Sequence, residues 1–574
     1  MTRLMRSIDP RRRPQDDLYA HVNGSWLDQH DLPAGVHIDG AFRELWNLAD
    51  NRIQSLIDDD GPDGPLNTLY ESINQRVPVD ELEPTLALEP DLALVGGLRT
   101  PADLATALAR LHRVGIHGPF DLAIAYCREQ AIYLPKVKIS EQWRSADPPS
   151  DARAAAANAV LIKLSSTPST HSVSMTPSRL DVDFPGFAWT TWLRELGVST
   201  DAVPTVVVAD QEAIARMVQF MRVLPLRSLE EWVRWRVTSA RADHFGLAFG
   251  SQSARCVVER FAGPELASRY SKRFTSPSSV SFVVDMFERI RDAFARLIDD
   301  SEWCSPSGRR AAIAKLRSVT LWTGTHHSGN SVDLDVRRED PVGNVRRGFE
   351  SLWNIEVARI GQAFHRGLDA NRIYSANGFY DHESRELVIP PGLMNPPFFD
   401  LALPDAYNYG AIGVIIGHEL AHCLDLVEWG AAAPAEWSTG DEDEFRSRVR
   451  CLINQCVAGV PTLTDEEPVL DLAGVLNEVL CDHIGVRIAL DALAALRGAT
   501  DLRHLFFAAW VWTMRAKCDD TEAADRIVRD PHPPADVRCS WVLRNSDAFH
   551  DAFGVRRGDR MWIPLDERFV LWGR

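Results

Sequence analysis

Residues 414–426, VIIGHELAHCLDL, form an apolar run interrupted by His418, Glu419, His422 and Asp425. On a helix the i, i+4 spacing sets both imidazoles on one face, able to share one ion, with Glu419 about 100° round the axis beside it. Neutral imidazole and carboxylate suit zinc, which at catalytic sites keeps three protein ligands and one position open to water. A carboxylate next to that position can take the water's proton as it attacks a carbonyl. The chemistry on offer is hydrolysis. The plainer alternative is two core histidines satisfied by hydrogen bonds, with Glu419 paired to an arginine. Against it, unpaired polar groups in so apolar a helix would cost several kcal/mol.

Two imidazoles leave one ligand to find. A longer form of the motif would need Gly at 425 and His at 428, where the chain has Asp425 and Glu428. Without the glycine the helix need not turn there. The other candidate is Glu478 in LAGVLNEVLCDHIGVRIAL (472–490), with Asp482 four residues on and on the same face. That spacing offers one carboxylate to bind an ion and one acid to orient a histidine. It equally describes a solvated stripe of Asp471, Glu478 and Asp482 on an amphipathic helix. Spacing alone leaves both readings open. Cys423 and Cys481 adjoin these positions on other helical faces and read as small buried apolar side chains.

The elements that must carry these residues are helical. Periodicity predicts helices over 407–428, 470–497 and 501–518, and helical pattern over 41–135 and 208–300. Residues 371–399 contain two short β-prone runs, GFY and ELVIP, around a polar turn and closed by prolines, which predicts a strand pair. Residues 1–40 are rich in turn formers and aromatics, and 144–159 and 164–183 are the most loop-like stretches. The expected fold is mainly α-helical, with one small sheet near the site.

At 574 residues the chain exceeds what one core can hold, so two or three domains are expected. A net charge of −18 argues against a general nucleic-acid binder, which would present a basic face. No run of about 18 apolar residues predicts a membrane span. The start, MTRLMRSIDPRRRPQDD, has basic residues but no apolar stretch behind them, and nine cysteines occur without a CxxC pair. Both point to a cytoplasmic protein with free thiols.

Taken together, HELAHCLD (418–425) and NEVLCD (477–482) resemble the neprilysin-like zinc metallopeptidases, a gluzincin group whose paired signatures are HExxH and a downstream ExxxD. Three further stretches agree in order: DDLYAHVNGSWLDQHDLPAG (16–35), SANGFYDHESRELVIPPGLMNPPFF (375–399) and DPHPPADVRCSWVLRNSDAFHDAF (530–553). The resemblance covers roughly 17–36 and 371–574; the middle third matches in helical character alone. It implies one zinc per chain held by His418, His422 and Glu478, with Glu419 as general base. It implies that Asp425 and Asp482 hold the ligand histidines, that Asn377 and the backbone of Gly378 bind the substrate main chain, and that Arg538 grips a peptide carbonyl. His532 would stabilise the oxyanion, and Ile415, Phe398 and Trp510 would line an apolar pocket for the residue after the cut. Where the family has NAFY this chain has NGFY, which spares the backbone contact but loosens it.

By the same likeness the fold is two-lobed. A thermolysin-like catalytic lobe, 1–40 and 341–574, and a helical lid lobe, 41–340, would enclose a central cavity that admits small peptides. The expected function is hydrolysis of small peptides with a hydrophobic residue preferred after the cut. Two other readings use the same residues: a zinc site dedicated to processing a peptide-derived natural product or its precursor, and a non-catalytic peptide-binding relic.

Overall fold

The structure, a computed structural model of the chain, describes residues 1–74, 84–127, 129–140, 155–156, 158–159, 162–163, 172–199, 205–244, 252–324, 335–363, 373–382, 384–424, 438–459, 472–496, 502–530 and 532–573. It is mainly α-helical and divides into two compact units. The first unit comprises Met1–Arg52, Tyr270–His326 and Arg372–Arg574; the second comprises Ile53–Arg269 and His327–Asn371. Residues 341–363, placed with the catalytic lobe by the family likeness, fall in the second unit, whereas 41–52 and 270–324, placed with the lid lobe, fall in the first. The reason is packing: Phe287, Ile290 and Phe294 of the helix Pro277–Asp299 join the core built on Ile412, Ile416 and Leu480.

Three elements of the first unit position the residues of interest. The chain enters through a short helix Asp405–Asn408 and a single π-helical turn Tyr409–Gly413, then runs into the helix Val414–His422. This helix is apolar nearly all round because it is buried nearly all round. It packs on the long helix Leu472–Ala494, and both lean on Pro277–Asp299. The third element is a three-stranded sheet in the order Thr320–Trp322, Glu386–Val388, Phe379–Asp381. The predicted strand pair is its antiparallel half, in the register Phe379↔Val388. Thr320–Trp322 adds a parallel partner.

The opening stretch DDLYAHVNGSW is helical, Leu18–Gln29, although its turn formers suggest loop. Asp17 caps it, accepting a hydrogen bond from the Ala20 N–H. The fully buried Asn23 donates to the Val511 carbonyl at 3.0 Å, tying this helix to Arg503–Thr513. The predicted helix 501–518 therefore stops at Thr513. Residues Ala516–Cys518 are a strand paired with Ile38–Gly40, and the Tyr19 hydroxyl accepts from the Ala516 N–H at 3.1 Å.

The second unit is not purely helical, contrary to the pattern read for 41–135. Phe120–Cys127 and Ile132–Ile139 form an antiparallel hairpin, and a four-stranded sheet continues through Val206–Ala209 to Ser172–Met175. Its core gathers Phe120, Val137 and Val208 with Trp189, Trp192 and Trp232. The sheets thus number three among the described residues, where one was expected.

Candidate active site

His418 and His422 lie one turn apart on Val414–His422, and their Nε2 atoms approach to 3.1 Å. Glu478 comes from the facing helix. Its Oε2 is 3.1 Å from His418 Nε2, and its Oε1 is 3.7 Å from His422 Nε2. The three ligand atoms all lie within 4.8 Å of one another.

Two glycines make this convergence possible. A Cβ on Gly417 would stand 2.8 Å from the Gly485 carbonyl oxygen, and a Cβ on Gly485 would stand 2.7 Å from the His418 nitrogen. Real side chains do not tolerate such contacts, so only glycine at both positions lets the two backbones meet. The helices then sit close enough for Glu478 and Asp482, seven and three residues before Gly485, to reach His418.

Asp482 Oδ1 lies 2.9 Å from His418 Nδ1. With Nδ1 engaged there, Nε2 is the nitrogen turned toward Glu478 and His422. Asp482 is itself held by Arg538, whose Nε and Nη2 donate to its two oxygens at 2.7 and 2.8 Å. Burial would raise the Asp482 carboxyl, but Arg538 and His418 hold it well below the usual carboxylate range.

The electrostatics ask for a cation at the centre. Burial pulls His418 down, yet hydrogen bonds to Asp482 and Glu478 push it up to about 10. His422, buried and beside His418, is pushed down to about 4. Glu478 Oε2 is buried with two imidazole nitrogens beside it, His418 Nε2 at 3.1 Å and His532 Nε2 at 2.9 Å. Two imidazole nitrogens and a carboxylate, largely buried yet not sealed from water, match the donor set and number that zinc takes.

Beside this cluster, Glu419 accepts a hydrogen bond from the Tyr380 N–H at 2.9 Å. Burial pushes its carboxyl up to about 7, with His418 opposing and Glu478 adding. His532 Nε2 stands 2.9 Å from Glu478 Oε2, and its Nδ1 lies 2.7 Å from Asp530 Oδ1. Burial pulls His532 down, but the Glu478 carboxylate prevails and raises it.

The other expected residues are placed variously. Asn377 is exposed and Gly378 buried, immediately before the strand Phe379–Asp381. A Cβ at Gly378 would meet Ile389 Cδ1 at 3.0 Å and Ile415 Cγ2 at 3.3 Å, so the NGFY variant fits a tight site rather than a loose one. Ile415 is half-buried, whereas Phe398 and Trp510 lie in the core, 1 % and 2 % exposed. Asp425 lies outside the described residues, as does Glu428. Cys423 and Cys481 are fully buried, and burial pushes the Cys481 thiol far up, away from the thiolate that binds metals.

Sequence reasoning missed Asp530, the Tyr380 N–H and the glycine pair. Asp530 stands two residues before His532, a spacing that signals an aspartate side chain turned back on the following backbone. The His532 N–H indeed donates to Asp530 Oδ1 at 2.9 Å.

Comparison with known proteins agrees with this geometry. The description "Peptidase family M13" matches residues 377–568 with one profile and 14–132 and 153–325 with a second. A solved zinc metalloprotease of Mycobacterium tuberculosis, in complex with an inhibitor, superposes with a TM-score of 0.81 at 25% identity, covering 98% of each chain. Human membrane metallo-endopeptidase-like 1 is 25% identical over 67% of this chain and 56% of its own length. The neutral endopeptidase of Lactobacillus helveticus is 25% identical over 53% of this chain and 47% of its own. The chain thus spans about half the length of the curated relatives it matches. With matched segments at both ends and through the middle, the chain belongs to peptidase family M13, the neprilysin-like zinc metallopeptidases.

Proposed function

We propose that the chain is a zinc-dependent endopeptidase acting on small peptides, with the ion held by His418, His422 and Glu478. The observation that carries this reading is the meeting of those three side chains within 4.8 Å, beside a buried carboxyl raised to about 7. Zinc bound there supplies a Lewis acid that polarises the scissile carbonyl and acidifies water at neutral pH.

The protein's own groups account for the rest. Glu419, poised near neutral pH and oriented by the Tyr380 N–H, takes the proton of the attacking water and returns it to the leaving amine. His532, positioned by Asp530, donates from Nε2 to the oxygen that gains charge. Arg538 and Asp482 fix the His418 ring, so Arg538 acts here through Asp482 as well as toward a substrate carbonyl.

Substrate binding follows from the sheet. Phe379–Asp381 is its edge, and the Tyr380 N–H points off that edge toward Glu419. An extended peptide added to the edge by Asn377 and Gly378 would carry its carbonyls past the site. Preference for a hydrophobic residue after the cut rests on Ile415, the one of the three expected pocket residues that keeps exposed surface.

The test is Glu419→Gln in the full chain. The variant should bind zinc as the wild type does and lose hydrolysis of a proteome-derived peptide library by about 10²–10⁴-fold. Undiminished cleavage by that variant would reject the mechanism.

A further inference from the structure

A second cluster with metal-ligand character lies in the other unit, far along the chain from the HExxH helix. His112 lies in the last turn of the helix Pro101–Arg113, His117 follows it, and Asp121 sits in the strand Phe120–Cys127. One ligand atom from each falls within 4.8 Å of the others. His117 Nδ1 is 2.8 Å from Asp121 Oδ1, and His112 Nδ1 is 3.5 Å from the same oxygen. The two imidazole rings meet edge-on with centroids 4.5 Å apart.

His112 is what distinguishes this trio from an ordinary hydrogen-bonded pair. Its ring is buried, 4 % exposed, and its Nδ1 has no hydrogen-bond partner. That nitrogen stands 3.5 Å from the Asp121 carboxylate oxygen. The Trp192 and Trp353 rings pack edge-on against the His112 ring, with centroids at 6.3 and 4.7 Å, an apolar wall that favours the neutral imidazole. A buried imidazole nitrogen without a hydrogen-bond partner thus stands beside a carboxylate that a second imidazole also approaches.

We propose that His112, His117 and Asp121 form a second divalent-metal site, suited to zinc. Two imidazole nitrogens and a carboxylate oxygen are borderline donors of the kind zinc takes, and His117 is half-buried where His112 and Asp121 are buried. The effect of binding is to tie the end of a helix to the start of a strand across residues 114–119.

The experiment is metal analysis of the purified full chain after equilibration with zinc and removal of the excess. The wild type should retain about two zinc ions per chain, and Glu478→Ala about one. Asp121→Asn and the milder His117→Asn should each retain about one and keep peptide hydrolysis within about twofold. Cobalt loaded into Glu478→Ala gives an independent readout: d–d absorption bands that disappear when His117→Asn is added. If the wild type holds one zinc ion, or if Glu478→Ala holds none while remaining folded, the second site is overturned. That outcome leaves the peptidase reading untouched, because it is read from Glu419→Gln and from hydrolysis rather than from stoichiometry.

Discussion

A Cβ on Gly485 would stand 2.7 Å from the backbone nitrogen of His418. The long helix Leu472–Ala494 is thus pressed against Val414–His422 at the residue that begins the HExxH motif. From that crossing, one turn back along Leu472–Ala494 brings Asp482 to His418 Nδ1, and two turns bring Glu478 to its Nε2. The metal cluster is as precise as this contact.

Gly485→Ala should therefore damage the site from a position that touches neither zinc nor substrate. Overpacking at such a contact costs about 1–3 kcal/mol, and moving one helix off the other withdraws Glu478 from the imidazoles. The expected result is a folded protein with a lowered Tm and zinc affinity down at least about tenfold. Circular dichroism and competition with a chelator read the two effects separately. Wild-type zinc affinity in this variant would show that the crossing does not set the cluster.

Part of this arrangement is legible in the sequence because it is local. The spacing of His418, Glu419 and His422 is a property of one helix, and GFY with ELVIP around a polar turn is a property of one hairpin. Glu478 is different. Its spacing to Asp482 fits a solvated stripe equally well; the family likeness singles it out, and in the structure it lies 3.1 Å from His418. What decides between the two readings is a contact between Gly417 and Gly485, 68 positions apart, which no periodicity encodes. The strand Ala516–Cys518 escapes for a similar reason: its partner is Ile38–Gly40, and without that pairing it looks like the tail of the helix before it. The hairpin of Phe120–Cys127 and Ile132–Ile139 is hidden by a preceding helical pattern that does not announce its end.

Asp482→Asn should separate ligand orientation from ligand identity. The variant keeps His418, His422 and Glu478 but weakens the hold on His418 Nδ1 and leaves the largely buried Arg538 without its carboxylate. Zinc affinity should fall about 10–100-fold, the range seen when a group behind a ligand is lost. Stability should fall too, by about 3–5 kcal/mol, because a buried charge is uncompensated. Chelator competition and urea denaturation measure these, and zinc affinity equal to wild type would mean that His418 needs no orienting partner.

His532 and Asp530 should report on the step that creates the oxyanion. Removing the donor with His532→Ala should lower kcat about 10²–10³-fold with a much smaller change in KM. Asp530 acts only by holding Nδ1, so Asp530→Asn should cost less, about tenfold in kcat, and Asp530→Glu should recover part of it. Equal losses in kcat and affinity for substrate in His532→Ala would reassign it to ground-state binding.

Asp441 offers a test of stability remote from the chemistry. This carboxylate, 2 % exposed, accepts from the Ser305 N–H at 2.5 Å and hydroxyl at 2.7 Å, and from the Ser438 N–H at 2.9 Å and hydroxyl at 2.8 Å. It thereby joins the start of the helix Pro306–Arg317 to the start of Thr439–Gly459. Burial would raise its carboxyl, but the serine hydrogen bonds lower it below the usual range. A lowered folded-state pKa means that the contribution is present above the ordinary carboxylate range and is lost as pH falls through the depressed value. Asp441→Asn should destabilise the protein at pH 7 by about 1–3 kcal/mol, since donors lose an ionised acceptor. The gap between wild type and variant should shrink once the pH drops below about 4, where the unfolded carboxyl begins to protonate. Thermal melts across about pH 3–7, a window set by the ordinary carboxylate pKa, measure it. A gap that widened toward acid would mean that the folded protein raises this carboxyl instead of lowering it.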